Sequence, residues 1–213
     1  GGLTAEGRSS ATTTIVSAML KAMNEPSIGV SEEKRKTLGF TDNRQDAALQ
    51  AGHFNDSVFV TLLRGAILRA VIDAGEEGLG DDEFGPKVQK ALGYIPEHEP
   101  LRRYWMSDPT IKGANRVEAS RTFSRVLAHR IWADMQRGWR FTYPNLFGLD
   151  LIRPTFSGLD EFLADKEAFE RAPASLKFAS EDQRQSIIKT ILMSMLEGLA
   201  IATDALDLMQ TDT

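Results

Sequence analysis

Apolar residues recur at every third or fourth position along most of the chain, which is the spacing of helices that bury one face. Ser9 or Ser10 caps a helix that reaches about Met23, with Ile15, Met19 and Met23 on one side and Asn24, Glu25 and Pro26 ending it. The charged connector SEEKRK leads into a short apolar run over 37–41, which reads as a strand with the continuous apolar character that parallel sheets favour. Asp42 as N-cap, with Gln45 three residues on, opens a long helix over about 43–74, carried by Val58, Leu62, Leu63, Ile67, Leu68, Val71 and Ile72. Gly52 and Gly65 are bend positions within it, and Gly75 is its stop. Phe84, Val88 and Leu92 mark a short helix over 81–92, ended by Gly93. Residues 94–113, with Pro96, Pro100 and Pro109, read as a loop with local turns. A helix over 114–137 has Phe123, Val126, Leu127, Ile131 and Met135 as its core stripe. Residues 139–143 alternate and 149–152 form their partner, so a small hairpin is expected. Helices over 158–170 and 181–203 follow, the last burying Ile187, Ile188, Ile191, Leu192, Met195, Leu196 and Leu199.

The expected fold class is therefore mainly α, with one early strand–helix junction and a helical remainder that holds a β-hairpin. A first domain over 1–75 and a second over 76–213 fit this division. Within the second, the order short helix, long helix, hairpin over 78–153 matches a winged-helix-like module. Such modules either lie against duplex nucleic acid or only pack against neighbouring domains.

Charge changes this picture in one place. The whole chain carries a net charge of −5, but residues 101–140 hold nine basic residues against three acidic ones. That block also contains Tyr104, Trp105, Trp132 and Trp139. Basic residues interleaved with aromatics can track a phosphate backbone and stack on bases, or they can form a solvated face over packed tryptophans. Arg121, Arg125 and His129 stand four residues apart and make a basic stripe on the 114–137 helix, with Arg137, Trp139 and Arg140 beyond it.

Composition narrows the chemistry. There is no cysteine, so neither a disulfide framework nor a thiolate zinc site is available, and three histidines do not complete a histidine-rich metal site. No apolar run approaches the ~20 residues of a membrane span, and no signal peptide is visible, so a cytoplasmic chain without a membrane partner is expected. A start without Met and the polar end QTDT read as a piece of something larger, or as a tag scar at the front. No Gly-x-x-x-x-Gly-Lys-Ser/Thr phosphate loop occurs, and no Gly-x-Ser-x-Gly elbow. Asp81, Asp82 and Glu83 sit at a helix start, where acids suit the dipole rather than a metal. His53 reads as a packing or capping histidine rather than a general base. Nothing marks the chain as a complete enzyme.

The most informative string is LGFTDNRQDAALQAGHFND, residues 38–56. A strand ends at Phe40 and Thr41, a polar turn follows, and Arg44 opens a helix whose free N–H groups and positive dipole end suit an anion. The string resembles motif IV of superfamily 2 helicases, in the form found in large bacterial DEAD/DEAH-box helicases. The segment EGRSSATT over 6–13 resembles what precedes that motif, and the helical remainder, with PNL at 144–146, is similar to the insertion after it. The strict resemblance covers about a quarter of the chain. It implies that the chain holds the start of the second motor domain. Thr41, Asn43, Arg44 and Gln45 would then grip the nucleic-acid backbone, joined by the second contact over Arg121, Arg125, His129, Arg137, Trp139 and Arg140. It implies DNA or RNA and the remainder of the helicase chain as partners. The phosphate loop, the DEAD/DEAH box and the arginine-finger motif of such helicases are absent, so ATP and Mg belong to the parent protein and not to this segment. The competing expectation is a non-catalytic helical module that docks protein partners through its apolar faces, above all 181–203.

Overall fold

A computed structural model describes residues 2–40, 44–137, 144–200 and 202–204, and among them the chain is mainly helical with no strand. The helices are α1 (Gly2–Asn24), α2 (Arg44–Ala74), α3 (Phe84–Ala91), α4 (Glu99–Arg102), α5 (Gly113–Arg137), α6 (Leu159–Ala164), α7 (Lys166–Glu170), α8 (Ala174–Lys177) and α9 (Glu181–Glu197). No helix among the described residues is long and apolar enough to cross a membrane. The chain separates into two compact units, residues 1–62 and 63–213, with the division inside α2.

The first unit holds α1 and the first half of α2. Its buried described residues are polar: Thr13 and His53. The Thr13 hydroxyl lies 2.9 Å from His53 Nδ1, and the Ser10 hydroxyl 3.4 Å from Nε2, so both ring nitrogens of the histidine are engaged. His53 is thus a packing residue, as its sequence setting suggests. Ile15 and Met19 on α1, and Leu49, Val58, Phe59 and Leu62 on α2, are exposed. The strand expected over 37–41 is not formed over 37–40, and Thr41 lies outside the described residues. Leu38 and Phe40 are 78% and 87% exposed rather than buried. The reason is that a strand needs a neighbour to accept its backbone bonds, and the described residues supply none. The connector before it is fastened instead by Arg35, which donates to the Val30 carbonyl and to the Asn24 side chain.

In the second unit the helical spacing becomes a core. Leu63, Ala66, Ile67 and Ala70 of α2 face Leu127, Ile131, Trp132 and Met135 of α5, with Val88 of α3, Leu146 and Leu196 closing the cluster. Val126 faces outward instead of joining the stripe, because its neighbour Leu127 takes the position in line with Phe123 and Ile131. α2 runs through Gly52 and Gly65 without a break and stops at Gly75, whose φ of +67° is open to glycine at no steric cost. A second cluster joins Leu159, Leu163 and Phe169 to Leu176, Ile188 and Leu192 of the last helices.

Two helices and the hairpin differ from the sequence pattern. The helix expected over 158–170 is two, because the Asp165 carboxylate accepts from the Glu167 and Ala168 amides and caps a new helix there. The helix expected to reach 203 ends at Gly198. The Leu199 amide turns back to the Leu196 carbonyl and the Ala200 amide to the Met195 carbonyl, with Leu199 left-handed at φ +52°. Ile191 and Met195 of α9 are exposed rather than buried. The second arm of the hairpin expected over 139–152, residues 149–152, is not a strand: residues 146–151 are turns and a bend, and residues 139–143 lie outside the described residues.

That turn is a strap. The Arg64 guanidinium donates to both carboxylate oxygens of Asp134 at 2.9–3.1 Å and to the Pro144 carbonyl at 2.9 Å. The Asn145 side-chain amide donates to the Met135 carbonyl at 2.7 Å, while its oxygen accepts from the Gly148 amide at 2.8 Å. Leu146 enters the core. Each residue of the PNL string therefore has a structural task.

α3 packs tightly on α5 at Gly85, where a Cβ would stand 2.5 Å from the Ser124 carbonyl oxygen. Gln89, one turn on, donates to the Ser120 carbonyl at 3.1 Å. Gly85→Ala should therefore cost roughly 1–3 kcal/mol through overpacking and lower the melting temperature. Gly65→Ala, in a helix interior with nothing within 4 Å of the new methyl, should raise stability by about 0.5–1 kcal/mol. Thermal unfolding followed by circular dichroism checks the opposite signs. Asp134→Ala leaves the Arg64 charge in a site only 13% exposed and should cost about 3–5 kcal/mol, read as a lower urea midpoint.

Candidate nucleic-acid interface

Arg44 is the first residue of α2, and its side chain and that of Gln45 are exposed. A cation at that end of a helix adds to the positive end of the dipole, so the position suits an incoming anion better than it suits the helix itself. Thr41 and Asn43, expected beside Arg44, lie outside the described residues.

On α5 the four-residue spacing places Arg121, Arg125 and His129 along one face. Arg121 and Arg125 are exposed, while His129 is half-buried. Arg121 is held by Glu118 at 3.0 Å, an exposed pair in water that leaves the guanidinium available to a stronger acceptor. Arg130 adds a further exposed cation on the next position round the helix. Arg137 ends α5, but its side chain lies outside the described residues, as do Trp139 and Arg140. Trp132 belongs to the core, where its ring packs against Phe84 with centroids 5.2 Å apart. The α5 residues thus form one stripe in the second unit, while Arg44 and Gln45 belong to the first.

The sequence reading did not pick out the segment between α3 and α5. Arg102 is 3% exposed. Its guanidinium donates to the Pro96 carbonyl and, through two nitrogens, to the Pro109 carbonyl. Proline clusters and an arginine flanked by another arginine gave the signal, but only the fold shows that the arginine points inward. Asp108 braces the same turn, accepting from the Thr110 amide at 2.9 Å and from its hydroxyl at 2.6 Å. The Thr110 hydroxyl and then its amide hold the Asp108 carboxyl below the ordinary carboxylate range.

A cavity of about 440 Å³ lies between α2 and α3, lined by Arg69, Asp73, Lys87 and Lys90 over an alanine floor. Its charges are largely compensated: Arg69 pairs with Asp73 at 2.9 Å and Lys87 with Glu83 at 3.5 Å. No group of three or more His, Asp or Glu residues that could hold a metal ion occurs among the described residues.

The Asp108 turn carries a pH dependence of definite sign. A carboxyl whose folded pKa is depressed stabilises the fold above its unfolded pKa and loses that contribution as pH falls through the folded value. A carboxyl NMR titration should therefore show Asp108 with a midpoint below the ordinary carboxylate range, and Thr110→Ala should raise it. Comparison of the chain with protein-family models, curated proteins and solved structures finds no match.

Proposed function

We propose that this chain is part of a superfamily 2 helicase of the large bacterial DEAD/DEAH-box kind, and that it contributes nucleic-acid backbone contacts rather than ATP hydrolysis. The observation that carries the reading is the string over 38–56 together with the place of Arg44, exposed at the first position of a 31-residue helix. The exposed stripe of Arg121 and Arg125, with His129 beside it, supports a second contact with phosphate. ATP, Mg and the arginine that meets the nucleotide come from the rest of the parent chain, in a cytoplasmic helicase acting on DNA or RNA. α3 and α5 are then the helical part of the winged-helix-like module over 78–153.

A second reading has an observation of its own. The first unit leaves Ile15, Met19, Leu49, Val58, Phe59 and Leu62 exposed, and α9 leaves Ile191 and Met195 exposed, as a module that docks protein partners would.

The two part on one measurement. The chain should bind fluorescently labelled single-stranded and duplex DNA at low salt, with affinity falling steeply as salt rises. Arg125→Glu should weaken binding to every sequence and reduce the salt slope by about one or more. No binding at low salt would overturn the backbone reading and leave the protein-docking module.

A further inference from the structure

Tyr104 is 65% exposed, yet it stands on one of the most firmly held turns of the second unit. Arg102, two residues before it, is clamped by the Pro96 and Pro109 carbonyls. Trp105 immediately after it stacks on Phe123 of α5, with centroids 5.8 Å apart and planes at 30°. The Tyr104 amide bonds to the Leu101 carbonyl, and the Trp105 and Met106 amides bond to the Arg102 carbonyl. The Tyr94 hydroxyl reaches the Met106 sulfur at 3.5 Å, and the Tyr94 ring closes on Phe123 from another side. The Arg103 guanidinium lies over the Tyr104 ring, 5.1 Å from its centre, and donates to its hydroxyl at 3.0 Å. One face of the ring is taken by a cation. The exposure of the residue leaves the other to solvent.

The helix on which this turn packs carries a further cation. Arg116 lies seven residues before Phe123 on α5, which is two helical turns along the same face. Its Nε is buried without an acceptor, and its guanidinium has no ion-pair partner among the described residues. That nitrogen is closed to a ligand, but the residue as a whole is only half-buried, and an anionic oxygen is the strongest acceptor the rest of its guanidinium can meet.

From these contacts we infer that Tyr104 is a stacking platform for an unpaired base of single-stranded nucleic acid, with Arg116 one of the α5 cations that meet the backbone. This rests on the backbone-contact reading above and adds to it a preference for single strands. Bases in a duplex already stack on one another, so only a base freed from the helix can lie on an exposed ring. The turn is fixed before any ligand arrives, so no ordering of the loop opposes the contact. Arg103 puts a positive charge beside the ring, and the surrounding block over 101–140 has a six-charge basic excess.

The test uses the 213-residue chain and fluorescence anisotropy with a labelled oligothymidylate and with a labelled duplex of the same length. The wild-type chain should bind the single strand more tightly than the duplex. Tyr104→Ala should weaken single-strand binding roughly tenfold and leave duplex binding unchanged, while Tyr104→Phe, which keeps the ring, should bind as wild type. Arg116→Gln should lower the salt slope on the single strand by about one. Salt-dependent binding by the wild type with Tyr104→Ala binding the single strand equally well would overturn the platform and leave the backbone contacts standing. Absence of binding to either probe at low salt would overturn the backbone reading, and the platform with it.

Discussion

The second unit depends on Arg64. Its guanidinium spans α2, the Asp134 carboxylate on α5 and the carbonyl of Pro144 in the strap that follows α5. Three acceptor atoms use the fork geometry that lysine lacks. Around this pair the apolar residues of α2 and α5 are brought into register, since Leu63 and Ile67 flank Arg64 on one helix as Ile131 and Met135 flank Asp134 on the other. Desolvating two charges is expensive, and the pair is a device for choosing one alignment of helices more than a source of net stability.

A second arginine does comparable work on a smaller scale. Arg102 gathers the carbonyls of Pro96 and Pro109, so a proline-rich connector of the kind usually left mobile becomes a fixed support. The two aromatic residues that follow it differ sharply in use. Trp105 is spent on packing against Phe123, while Tyr104 is displayed. The exposed stripe of α5 and this turn belong to the same unit, and both rest on a helix whose inner face is occupied by Leu127 and Ile131.

The helices were legible in the sequence because their signals are local. The stop at Gly75 and the start of the last helix at 181 are where local signals alone put them, the latter with a Ser180 cap that the structure adds. The Ser180 hydroxyl accepts from the Gln183 amide, and Gln183 returns a bond to the Ser180 amide. What could not be read was whatever depends on a neighbour. The apolar run ending at Phe40 has the composition of a buried strand, but composition does not supply the adjacent strand that would bury it. Asp165 was legible as a helical residue by periodicity and is instead a cap, because its short carboxylate bonds its own backbone before the helix can continue. Of the candidate interface, the spacing of Arg121, Arg125 and His129 was visible. The inward turn of Arg102 and the bare Nε of Arg116 were not, since exposure is a property of the packed chain.

The separation of the paired groups along the chain has a consequence for how the second unit assembles. Gln89 and Ser120 are 31 residues apart, whereas Arg64 lies 70 residues from Asp134 and 80 from Pro144. The α3–α5 contact closes the shorter loop and has the smaller entropy of closure, so it is favoured to form first, with α2 docking afterwards. Contacts made after the rate-limiting step contribute little to the speed of folding and much to the slowness of unfolding. On this order the Arg64 clasp acts as a latch: it sets the lifetime of the assembled unit rather than the time taken to reach it.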